Sequence, residues 1–162
     1  GMTVWRKCGT RSFTATSVPG EADEEVKALS QISTQSIVDA LWLNDYPQPY
    51  IHGARPMREN MKCAGRAVTL RFVPHRPDVA ADKPQGENSP EYAAFELCGA
   101  GQVLVTNSCG PYESVGGDIK FLRLAQRKVG GIVTEGSVRD SETLEEYGMP
   151  IFSFSTSAKQ GP

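Results

Sequence analysis

The sequence has little of what usually announces a charged or membranous partner. Its 162 residues carry 17 basic and 19 acidic side chains, a formal net charge of -2, so no excess of positive charge is present to track a phosphate backbone or an anionic lipid surface. Neither nucleic acid nor membrane is the expected partner. No apolar run approaches the length of a membrane span, and the opening GMTVWRKCGTRS lacks the apolar centre of a secretory signal. A cytoplasmic protein is the expectation, and Gly1 ahead of Met2 reads as a remnant of tag removal. Cysteine is sparse: Cys8, Cys63, Cys98 and Cys109 stand singly with no CxxC pair, which excludes a short-spaced zinc site and points to reduced, partly buried thiols. The only two histidines, His52 and His75, lie in proline-flanked loops without a second ligand nearby, and read as surface or structural residues. Aromatics make up 8%. Trp5, Trp42 and the five tyrosines are not interleaved with basic residues, so they read as core or interface positions.

What is present suffices for one domain. A chain of this length with 39% hydrophobic residues can bury a single core. Residues 1–20 read as a tail and 21–162 as one α/β domain. EADEEVKALSQ begins after Pro19 and Gly20 with acids in its first turn, favourable at a helix start. STQSIVDALWL reads as a second helix, capped by Ser33 or Thr34, with Ile37, Val38, Leu41 and Trp42 as its apolar stripe. The prolines of NDYPQPY stop it. AGRAVTLRFV alternates as a half-buried strand does, and HRPDVAADKPQGENSP follows as an unusually long polar loop. EYAAFELCGAG is expected to be helical up to Gly99 or Gly101, and QVLVTN to be a short buried strand.

The most informative stretch runs from Val103 to Asp140. A strand, the helix DIKFLRLAQRKV and a second strand within GGIVTEGSVRD predict a parallel βαβ crossover. In that helix Ile119, Leu122 and Ala125 recur on one side, with Lys120, Arg123 and Arg127 facing outward. The helix runs antiparallel to both strands, which brings its start at Gly117 and Asp118 to the sheet edge where the second strand ends in Arg139 and Asp140. Ligands of open α/β sheets bind at that edge. Free amides at a helix start, approached closely through glycine, favour an anion. A guanidinium adds a bidentate grip on a carboxylate, and an aspartate oxygen suits Mg²⁺ or Mn²⁺. A small 2-keto acid meets both demands.

These residues carry a resemblance. GGDIKFLRLAQRKVGGIVTEGSVRD resembles the signature of the RraA-like family, a glycine, about twenty residues and then Arg-Asp; here 21 residues separate Gly117 from Arg139. STQSIVDAL, CAGRAVTLRFVPHRPD and GQVLVTN are similar to the family's successive segments in the same order. The resemblance implies a layered β/β/α domain, a homotrimer or hexamer with sites between subunits, and a Mg²⁺- or Mn²⁺-dependent lyase. That lyase would cleave a 4-hydroxy-2-keto diacid of the 4-hydroxy-4-methyl-2-oxoglutarate type to pyruvate, and decarboxylation of oxaloacetate passes through the same enolate. Gly117, Asp118, Ile119 and Lys120 would wrap the substrate, Arg139 would partner its carboxylate and enolate, and Asp140 would be the metal ligand. The general base is left open, with a water on the metal as one candidate. Some family members are instead non-catalytic regulators that bind a ribonuclease. A methyltransferase role has no support in a lone Gly99-Ala100-Gly101 placed before a strand.

Two features depart from the family pattern. Thr143 replaces an acid three residues after the metal-binding aspartate, with Glu142 one position early, and the chain stops at Pro162 where further strands are expected. Asp39, Glu113 and Glu135 are further candidates for supporting roles around the site.

Overall fold

The computed structural model describes residues 21–161 except Gln48 and Gln85. The tail 1–20, with Trp5 and Cys8, lies outside the described residues. Helices α1 (Glu21–Ser30) and α2 (Thr34–Leu43) come first. Ser33 caps α2 by accepting the Ser36 amide at 3.1 Å, and α2 ends at Asn44, ahead of Pro47. The expected stripe of α2 is only partly covered by the described residues: Ile37, Val38 and Leu41 are half-buried. None of its residues is buried, and Trp42 and Leu43 are 73% and 74% exposed.

Next come β1 (Arg55–Pro56), β2 (Ala67–Leu70), α3 (Pro77–Ala80) and α4 (Pro90–Leu97). The long polar loop therefore contains one helical turn, plus a 3₁₀ turn at Gly86–Asn88. Helix α4 stops at Leu97, short of Gly99, because Cys98 turns extended. The strand β3 (Val103–Thr106), helix α5 (Asp118–Gln126) and strand β4 (Gly131–Thr134) form the anticipated crossover: β3 pairs in parallel with β4, Val103 opposite Gly131. Strand β5 (Ser137–Val138), helix α6 (Ser141–Glu146) and strands β6 (Ile151–Ser153) and β7 (Ser155–Thr156) complete the described elements.

The strands form a five-stranded sheet in the order β1-β6-β4-β3-β2 and a two-stranded sheet of β5 and β7. Strands β6, β4, β3 and β2 run parallel, and β1 lies antiparallel on β6. This is a mixed α/β fold with a parallel core.

Two local expectations need correction. GGIVTEGSVRD is two strands in two sheets, not one strand. The chain leaves the large sheet at Gly136, whose backbone lies so close to Ser108 that an added Cβ would meet the Ser108 Cβ at 2.4 Å. The amide of Gly136 donates to Thr134 Oγ1 at 3.0 Å, closing the break locally. On α5 the buried face is Phe121 and Leu124, while Ile119 is 79% exposed and Leu122 39%. The larger aromatic takes the core, and Gly116 gives it room: a Cβ there would lie 2.5 Å from the Phe121 ring. Phe121 and Leu124 join Phe95, Leu104, Ile132, Leu144 and Ile151 in the centre of the core. Burying each such side chain contributes roughly 1.5–3 kcal/mol.

Among the described residues, no helix is long and apolar enough to cross a membrane. Cys63, Cys98 and Cys109 are free thiols, and burial pushes the Cys98 thiol up to about 11. At that value it stays protonated and poorly nucleophilic near neutral pH.

Candidate active site at the start of helix α5

The crossover places the first turn of α5 directly against the segment that follows β5. The amide of Asp118 donates to Asp140 Oδ2 at 3.1 Å, a charge-assisted bond at a helix start, where the partial positive charge of the unpaired amides gathers. Glycine at position 117 is required by this approach. A Cβ at Gly117 would fall 2.3 Å from Asp140 Oδ2 and 3.0 Å from the Arg139 Cβ. The Arg139 amide donates to the Gly116 carbonyl at 2.9 Å, pinning the Arg-Asp pair to the same loop.

Asp140 has an unusual backbone. Its φ of 55° and ψ of 41° place it in the left-handed region, which aspartate tolerates better than most residues. It stands at the N-cap of α6 but makes no side-chain capping bond there. Its carboxylate instead caps α5.

All six residues singled out from the sequence line one cleft of about 550 Å³. Gly117, Asp118, Ile119 and Lys120 line it with Arg139 and Asp140, and Ser114, Gly116, Thr143, Gln160 and Gly161 complete the lining. A second cleft, of about 440 Å³, lies on the far side of Arg139 and Asp140 and is lined also by Ser141, Glu142 and Thr156. The Arg-Asp pair thus borders both.

Their side chains are not equally available. Lys120 Nζ is engaged by both oxygens of Glu91 on α4, at 2.8 and 2.9 Å, so its charge is paired while its side chain stays partly exposed. Among the described residues Arg139 has no carboxylate partner, which leaves its guanidinium available to a ligand. The supporting candidates fall outside the lining of either cleft. Glu113 pairs with Lys159, Glu135 accepts the Ser108 amide at 3.4 Å, and Asp39 is exposed on α2. His52 stacks edge-on with Tyr50, ring centroids 5.3 Å apart.

Sequence reasoning missed Tyr147, whose hydroxyl donates to Asp118 Oδ1. No spacing rule points to it, because the contact joins two helices 29 residues apart. Gln160 and Gly161 were missed too. The 157–161 segment reaches the cleft because the Ser157 amide bonds the Val138 carbonyl at 3.0 Å.

The donor set fits a hard divalent cation. One oxygen of Asp140 holds the Asp118 amide, and the other has no partner among the described residues. Among those residues no group of three or more histidine, cysteine or acidic side chains is placed to hold a metal. The free oxygen of Asp140 is of the kind Mg²⁺ or Mn²⁺ takes, since these ions bind through one or two carboxylates and keep several waters.

The fold and the candidate site together define the class: a mixed α/β domain with a parallel-strand core and a helix start facing an Arg-Asp pair. The chain belongs to the RraA-like family, described as Aldolase/RraA, whose pattern matches residues 34–162. That family holds both metal-dependent aldolases and ribonuclease inhibitors. Among solved structures the chain is similar to Streptomyces coelicolor RraAS2, described as an unusual member of the RNase ES inhibitor RraA family. The identity is 27% and the TM-score 0.74, over 85% of this chain and 65% of that one. The chain therefore spans slightly less than two thirds of that relative's length. The RNA-processing inhibitor RraA of Thermus thermophilus matches at 23% identity and a TM-score of 0.55, over 76% of this chain and 68% of that one. A Geobacillus kaustophilus protein described as an S-adenosylmethionine: 2-dimethylmenaquinone methyltransferase matches at 16% identity and a TM-score of 0.56, over 80% of this chain and 73% of that one. At these last two identities the likeness is one of fold.

Proposed function

We propose that the chain is the cleft-bearing part of a divalent-metal-dependent lyase. It would cleave a 4-hydroxy-2-keto diacid of the 4-hydroxy-4-methyl-2-oxoglutarate type to pyruvate, and decarboxylate oxaloacetate through the same enolate. The observation that supports this reading is the cleft shared by the start of α5, the Arg139 guanidinium, which has no acid partner among the described residues, and the Asp140 carboxylate, one oxygen of which has no partner among them.

In this reading the amides of residues 117–120 and the Arg139 guanidinium bind the substrate carboxylate, a bidentate partner adding orientation to attraction. Orientation matters because the C3–C4 bond must lie where its electron pair can pass to the C2 carbonyl. On cleavage the C4 hydroxyl gives up its proton and becomes a carbonyl, while the pair forms the enolate of pyruvate, which then takes a proton at C3. Asp140 would hold the cation, which supplies Lewis-acid stabilisation of the enolate oxygen. Arg139, beside it, adds a second positive charge where negative charge develops. No lysine is needed for a Schiff base, in keeping with Lys120 being held by Glu91. Gly117 keeps the wall thin enough for Asp140 to stand against the helix start. A homotrimer or hexamer belongs to the proposal and is read by sedimentation.

The test follows pyruvate release from both substrates with and without chelator, for the wild type and for Arg139→Ala and Asp140→Ala. Metal-independent turnover, or full activity in the Asp140 variant, would sink the reading. The likeness to RraAS2 at 27% identity favours a second one, a non-catalytic regulator of a ribonuclease or another protein. Inhibition of a ribonuclease by a chain that turns over neither substrate would decide for it.

A further inference from the structure

Two acids border the cleft, and they are held differently. Asp140 is fixed by the Asp118 amide at 3.1 Å. The Asp118 side chain is fixed from α6, where the Tyr147 hydroxyl donates to its Oδ1. Tyr147 is half-buried, packs against the core beneath α6 and does not line the cleft. It reaches the site only through Asp118. The bond to Asp118, aided by burial and by the nearby negative charges of Asp118, Glu146 and Asp140, pushes the phenol up to about 12, so it remains a donor across the neutral range.

We propose that Tyr147 is a positioning residue: by donating to Asp118 it ties the first turn of α5 to α6 and withdraws part of the Asp118 charge from the cleft. This rests on reading Asp140 as the cation ligand and Arg139 with the α5 amides as the anion grip. A carboxylate that accepts a hydroxyl donor presents less negative charge to its surroundings and has one defined direction. Without that donor, Asp118 is a mobile, fully charged acid beside the place where a carboxylate must bind and a cation must sit. Its charge then opposes the anion and attracts the cation.

The two effects have opposite signs, which separates this role from a merely structural one, since a loosened helix start would weaken both ligands together. The test uses the full chain and four proteins: wild type, Tyr147→Phe, Asp118→Asn and the double variant. Phenylalanine keeps the packing of Tyr147 and removes only the hydroxyl. Calorimetry with Mn²⁺ alone, and separately with oxalate, gives the two affinities. In Tyr147→Phe, Mn²⁺ binding tightens and oxalate binding weakens, each on the order of threefold to tenfold, the scale of one ordinary net hydrogen bond. When Asp118→Asn is already in place, adding Tyr147→Phe changes neither affinity. Affinities unchanged in Tyr147→Phe, both weakened, or changes that persist alongside Asp118→Asn would overturn the proposal.

A wild type that binds no Mn²⁺ defeats the lyase reading, and the tie is then read without ligand, by hydrogen exchange over residues 117–121. Faster exchange in Tyr147→Phe, absent when Asp118 is already replaced by asparagine, supports the tie. Equal exchange overturns it.

Discussion

Helices α2 and α5 are both short and amphipathic, and they meet opposite fates. Helix α5 buries Phe121 and Leu124 in the common core, and its first turn is fastened to the segment 22 residues further on. Helix α2 carries an apolar stripe of similar length, yet among the described residues Ile37, Val38 and Leu41 are only half-buried and Trp42 stays in solvent. An apolar stripe shows that a face is suited to being covered. It does not say by what. Where the strands on either side of a helix pair with each other, the chain itself supplies the cover, and topology can be reasoned to the level of residues. Where the flanking segments lead elsewhere, the pattern alone gives no partner.

The largest effect expected from this contrast is in stability. Leu124→Ala, at a fully buried position, destabilises the chain by about 2–5 kcal/mol in urea unfolding, by lost transfer energy and the cavity left behind. Next in size, Arg139→Ala and Asp140→Ala each lower pyruvate release on the order of a hundredfold, as expected for groups that act mainly on developing charge; the Arg139 variant keeps an unfolding midpoint near that of the wild type, while Asp140→Ala also loses the cap of α5, about 0.5–2 kcal/mol. A large fall in the midpoint would show that the pair is chiefly structural. Gly117→Ala forces a methyl group into the space of Asp140 Oδ2, an overpacking cost of about 1–3 kcal/mol. It is expected to disturb Mn²⁺ binding in calorimetry while the far-ultraviolet dichroism remains that of the wild type. The smallest effect belongs to α2: Trp42→Ala in dilute protein changes stability by no more than about 0.5 kcal/mol, the usual range for exposed positions. A loss that grows with protein concentration would mean that another copy covers this face, and the contrast between the two helices would disappear on assembly.

The site was legible to the extent that topology dictates it. A parallel crossover predicts Gly117, Asp118, Arg139 and Asp140 at one edge, and they line one cleft, although Arg139 and Asp140 reach it through β5 of the second sheet and the bond from the Arg139 amide to Gly116. The buried face of α5 was misjudged because Phe121 and Leu124 recur at the same spacing as Ile119 and Leu122. Only the room left by Gly116 distinguishes the two faces. The split between β4 and β5 falls at Thr134-Glu135-Gly136-Ser137, a polar interruption between Ile132 and Val138, which are both fully buried but in different sheets; burial on both sides makes the two strands look like one. Tyr147 and the 157–161 segment depend on contacts between distant elements, for which the chain has no local periodic signal. The polar loop 75–90 was seen as a loop because of its prolines and charges, although Pro77 also starts one helical turn.

The carboxylate of Asp140, bonded to α5 while its own helix goes uncapped, has a further consequence. The amide that would receive an anion is already occupied by an acid from within the chain, so an incoming carboxylate must exchange with it. The gain is then the difference between two similar bonds. A cation drawing Asp140 toward itself relaxes that internal competitor. Cation and anion should therefore bind with positive cooperativity, each raising the affinity for the other by the same factor.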